Sequence, residues 1–80
     1  MVIQRRRIVG VITDIARRVG PHANKDMGTI KRFLRDDPLY GVVEDSAYGF
    51  EAPTGFLGRG TVVEFMIDHG RAKNVRMYNG

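Results

Sequence analysis

The side chains best equipped for chemistry in this 80-residue chain are cations set among aromatic rings. Over residues 28–35, GTIKRFLR, the side chains of Thr29, Lys31, Phe33 and Arg35 alternate with those of Ile30, Arg32 and Leu34. An extended backbone would therefore set a ring among positive charges on one face. Tyr40, Tyr48 and Phe50 add rings further on, and Arg71, Lys73 and Arg76 add charge near the C-terminus. A cationic groove attracts phosphates and releases counterions, while exposed rings stack on unpaired bases at about 1–3 kcal/mol per base. These types together point to single-stranded nucleic acid. Lys31, Arg32, Phe33, Arg35, Tyr40, Tyr48, Phe50, Arg71, Lys73 and Arg76 are the candidate binding residues, and Arg5, Arg6, Arg7, Arg17 and Arg18 extend the basic surface. A competing role exists for each: rings fill small cores, and scattered cations keep a glycine-rich domain soluble.

Catalytic constellations are absent from the pattern. His22 and His69 stand far apart, and no His/Asp spacing matches a zinc or other transition-metal site. Asp36-Asp37 and Glu44-Asp45 are adjacent acids, which point apart on a strand and are favoured beside turns anyway. Ser46 has no activating partner, and the glycines do not form a phosphate-binding loop before a helix. The expectation is a protein without catalytic activity, metal or cofactor.

Thirteen Lys/Arg against nine Asp/Glu give a net charge of +4, a bias toward acidic partners. Length predicts one domain over residues 1–80, small enough that every element must contribute to one core. With no cysteine, disulfide scaffolding and thiolate chemistry are excluded. No run reaches the roughly 18 apolar residues of a membrane span, and the N-terminus lacks the apolar stretch of a secretory signal. A cytoplasmic protein with no membrane contact is expected.

Several short strands would have to position the candidate residues. Residues 3–16, IQRRRIVGVITDIA, are β-branched around Gly10, as a long strand bent at a glycine would be. Ile8, Ile12, Ile15 and Val19 also recur at helical spacing, so a short helix ending at Gly20-Pro21 competes. Residues 17–27 read as a basic loop, and 28–35 as a strand broken by Asp36-Asp37-Pro38. Residues 39–52 hold a doubled Tyr-Gly unit and fit either one bulged strand or a hairpin, and 53–60 form a Gly/Pro loop.

The clearest unit is GTVVEFMIDHGRAKNVR, residues 60–76. Val63, Phe65 and Ile67 share one face of a period-2 strand, opposite Val62, Glu64, Met66 and Asp68, and Gly70 centres a polar turn into a basic second strand. Gly60, Val63, Phe65, Ile67, Gly70, Ala72, Asn74 and Val75 fall where cold-shock domains carry their last two strands, and the chain resembles that family there. The resemblance implies a five-stranded OB-type barrel that binds single-stranded RNA or DNA. Two registers fit it. In one, residues 3–16 form the opening strand; in the other, residues 28–33 open the barrel and 39–43 follow, leaving a 27-residue extension. In the second register Arg32 stands where the family has tryptophan, and the family's histidine motif has no counterpart near Tyr48.

The expected fold is thus all-β, a small OB-like, cold-shock-like antiparallel barrel with room for one short helical turn. The expected function is binding of single-stranded RNA or DNA with little sequence preference, in a chaperone or regulatory role, by tyrosine stacking within a basic surface. The alternative is a small interaction module or inhibitor whose basic face docks on an acidic protein, such as a nucleic-acid-processing enzyme or ribosomal component. The sequence does not fix the oligomeric state.

Overall fold

The computed structural model describes residues 8–17, 25–53 and 58–79. They form five strands: β1 (Ile8–Arg17), β2 (Lys25–Phe33), β3 (Val43–Pro53), β4 (Val62–Asp68) and β5 (Arg71–Met77), with a single 3-10 turn, Leu34–Asp36, between β2 and β3. The strands close into a barrel in the order β1-β2-β3-β5-β4, and β4 returns to β1 with Gly10 opposite Val63. This is an OB-like barrel, and the opening strand comes from the N-terminal segment. The register that began at residue 28 is overturned. The strand pairs are antiparallel except at one seam, where β3 and β5 meet in parallel with Gly49 opposite Arg71.

The helical spacing near the N-terminus has a physical explanation in β1. Ile8 and Ile12 lie four positions apart, an even step, and share a face, but Ile15 has the wrong parity. An extra residue resolves this. Ile12 pairs with Ile30 whereas Asp14 pairs with Thr29, so Thr13 is bulged out and Ile15 returns to the inner face. Gly10 is required for room. A Cβ there would lie 2.5 Å from the Lys31 carbonyl oxygen and 2.8 Å from Ile30 Cγ2.

The β4–β5 hairpin follows the same logic. His69 and Gly70 both take positive φ, 51° and 76°, which gives the two-residue turn whose twist matches that of the flanking strands. Asn74, at φ 52°, sits where β5 holds one residue more than β4, between the pairs Met66–Lys73 and Glu64–Arg76. The bulge lets Ala72 and Val75 both face the core. That core consists of Ile12, Ile30, Phe50, Val63, Phe65 and Ala72, with Ile8, Ile15, Tyr48, Ile67 and Val75 packed against it.

Other boundaries differ from the sequence reading. β2 begins at Lys25, inside the segment read as a loop, and it ends at Phe33, so Leu34 and Arg35 belong to the 3-10 turn. Residues 43–53 are one bulged strand, not a hairpin, and Tyr40 and Gly41 lie in the turn before it. Pro53 is the last residue of β3, and residues 54–57 lie outside the described residues. Among the described residues, no helix is long and apolar enough to cross a membrane.

Candidate functional site

Cross-strand partners share a face of the sheet, which places the rings. Ile30 is fully buried, and its partner Tyr48 therefore turns inward, with its ring centroid 6.0 Å from that of Phe65. Phe50 stands opposite Gly28 and is 1% exposed, filling space that a side chain at Gly28 would occupy. Phe33 is 7% exposed. A buried ring has no face to offer a base, so Phe33 and Phe50 leave the candidate surface, Phe50 within the core cluster and Phe33 outside it. Tyr48 packs on the core instead of standing on the outer wall. Tyr40 is different, being 53% exposed.

The cations divide into free and committed. Thr29 and Lys31 alternate with buried Ile30 and so face outward, and Lys31 is flanked by Val11 on β1 and Ala47 on β3. Arg71 lies across the β3–β5 seam, where a Cβ at Gly49 would sit 3.8 Å from its Nη1. Lys73, opposite Met66, is exposed on the same strand. The register sets residues with short side chains, Thr29, Ala47 and Gly49, between Lys31 and Arg71. Arg59, which sequence reasoning missed, joins the wall from the loop before β4: its Nε donates to the Thr13 carbonyl at 2.9 Å and its Nη2 lies 3.5 Å from Asp14 Oδ1.

Arg32 and Arg76 are committed to carboxylates. Arg32 donates through Nε and Nη2 to the two oxygens of Asp36, both at 2.8 Å. That hydrogen bonding, reinforced by the Asp36 and Glu44 charges, holds the guanidinium still more firmly protonated than usual against the opposing effect of burial. Arg76 Nε lies 2.9 Å from Glu64 Oε1, and Glu64 is itself buried. Both cations hold a carboxylate at 2.8–2.9 Å, closer than the 3.5 Å between Arg59 and Asp14, so neither is counted with the phosphate-seeking set. Arg5, Arg6, Arg7 and Arg18 lie outside the described residues.

Residues 34–42 form the most distinctive surface. Arg35 and Asp36 take positive φ, 61° and 53°, a conformation that costs a non-glycine residue on the order of 1 kcal/mol and persists only where neighbours impose it. Asp36 is the anchor. Besides gripping Arg32, its Oδ1 accepts the Val9 backbone N–H at 3.1 Å, which ties the turn to β1. The Leu34 N–H donates to the Val42 carbonyl at 2.8 Å and closes the loop. Within it, Pro38 follows Asp37, the Leu39 N–H donates to Asp37 Oδ1 at 2.9 Å, and the Tyr40 N–H donates to the Asp37 carbonyl at 3.1 Å. Proline after aspartate is the favoured opening of such a turn. Leu39 is thereby held at the apex, 95% exposed, and the Arg35 guanidinium lies 5.6 Å from the centroid of the Tyr40 ring. Leu34 and Val42 are also exposed.

Arg35 and Tyr40 are thus the two candidate residues that the structure brings together at one spot, with Leu39 beside them. Leu39 was not among the candidates. The signal that could have found it is its place immediately after Asp37-Pro38, where a turn must push a side chain outward. Among the described residues, no group of three His, Cys, Asp or Glu could hold a metal ion. No protein-family profile, curated protein or solved structure matches the chain. What the fold defines is a class, the small OB-like barrel.

Proposed function

We propose that the chain binds single-stranded RNA or DNA, stacking a base on Tyr40 while Arg35, Lys31, Arg71 and Lys73 meet phosphates. The observation that carries this reading is the exposed Tyr40 ring with a guanidinium 5.6 Å from its centroid on a loop of fixed geometry. A ring backed by a cation is a stacking platform next to a phosphate contact. The net charge of +4 and the cationic wall add a sequence-independent attraction. The finer reading, a cold-shock-like domain, draws on the residue pattern over 60–76, a stretch that contains β4 and most of β5. Binding would be stoichiometric, masking strands or holding them open, with no cofactor. Titration of a labelled oligonucleotide at two salt concentrations tests it: micromolar or tighter affinity that falls with salt is required.

A second reading has its own support. Leu39, Val42 and Leu34 give the same loop an apolar tip, which suits docking on a protein. Capture of a partner before and after nuclease treatment separates the two, since a bridging nucleic acid disappears with digestion and a direct protein contact does not.

A further inference from the structure

We propose that the turn at residues 37–40 reads a break in base stacking: Leu39 enters the gap, and the Tyr40 ring, backed by Arg35, receives the one base displaced from it. The inference rests on the nucleic-acid reading above and names the feature of the strand that the site selects, a bulged or terminal nucleotide.

Three observations carry it. First, Tyr40 is the one exposed phenyl or phenol ring among the described residues. Tracking a continuous single strand takes successive platforms along its path, and one platform suits one base. Second, Leu39 stands at the apex, 95% exposed, on a backbone pinned by the Asp37 carboxylate and carbonyl. Apolar wedges of this kind open base steps, and a wedge that is already ordered loses little entropy on insertion. Third, the Arg35 guanidinium beside the ring places a positive charge within reach of the phosphates that flank an extruded base. An apolar pocket on a protein would also accept Leu39, but it gives no role to the cation-backed ring. Opening a paired step is costly and a base already unpaired offers the gap without that cost, so bulges and ends should be preferred over continuous duplex.

The test uses the full chain and two hairpin duplexes alike except for a single bulged 2-aminopurine. Expected is roughly tenfold tighter binding of the bulged hairpin, as one stacked base implies, with quenching of the 2-aminopurine. L39A should erase most of that preference while leaving the salt dependence unchanged, and Y40A, which removes the stacking platform, should abolish both the quenching and the preference. Both side chains are exposed, and an unchanged unfolding midpoint confirms that each variant folds. Salt-sensitive binding that is equal for the two hairpins, or a preference that survives L39A, overturns the inference and leaves the nucleic-acid reading standing. Failure to bind any oligonucleotide at low salt overturns both and returns Leu39 to protein docking.

Discussion

Asp36 grips Arg32 with both carboxylate oxygens at 2.8 Å and simultaneously accepts the Val9 backbone N–H at 3.1 Å. One side chain thereby ties the end of β2, the opening of β1 and the loop bearing Tyr40 into a single unit. Replacing Asp36 with Ala should lower unfolding free energy by about 2 kcal/mol, because the guanidinium and the amide both lose a charged acceptor. Urea unfolding reads this as a shift in midpoint at constant slope. The pair raises the Arg32 pKa, so its stabilisation is present below the ordinary arginine pKa and is lost only as pH rises through the still higher folded value. Unfolding free energy should therefore show no loss from this pair between neutral pH and mildly alkaline conditions.

Phe50 belongs to the core and not to the binding surface. Phe50→Ala should cost about 3–5 kcal/mol, the range for truncating a buried phenylalanine, and thermal unfolding would record a large drop in Tm. A near-neutral effect on stability would place the ring outside the barrel.

The wall cations divide by their partners. Replacing Lys31, Arg71 or Lys73 with Ala should each reduce the slope of log affinity against log salt by about 0.7, the value for one phosphate on a single strand. Arg76→Ala should leave that slope nearly unchanged, since its guanidinium faces Glu64 at 2.9 Å. Binding at a series of salt concentrations distinguishes the two groups.

His69 occupies a turn position with φ 51° directly before Gly70. Asparagine tolerates that conformation better and Asn-Gly is the preferred pair for this turn, so His69→Asn should raise stability by about 0.5 kcal/mol. Differential scanning calorimetry would show a small increase in Tm.

The strands with clean alternation were legible in the sequence. Val63, Phe65 and Ile67 face the core as their period-2 pattern required, and Gly70 lies in the turn that joins β4 to β5. Bulges hid the rest. Thr13 displaces the parity of β1 so that Ile12 and Ile15 imitate a helix, and three residues of β3, 44–46, oppose Arg32 alone, which obscures a single long strand. The candidate site was half legible for a related reason. Charge and ring types identified Arg35 and Tyr40, but pairing depends on contacts between segments distant in sequence, such as Asp36 with Val9. Nor does residue type reveal that Tyr48 faces Phe65; only the register opposite Ile30 does so.

The most direct test compares Tyr40 with Tyr48. Anisotropy titrations of a short labelled single strand with wild-type protein, Y40A and Y48F, at about 50 and 200 mM salt, should give salt-weakened binding. Y40A should lose about tenfold in affinity, as removal of one stacked base implies, while Y48F remains within experimental error of wild type. Unchanged affinity in Y40A, or binding insensitive to salt, would contradict the assignment of the loop as a base-stacking site.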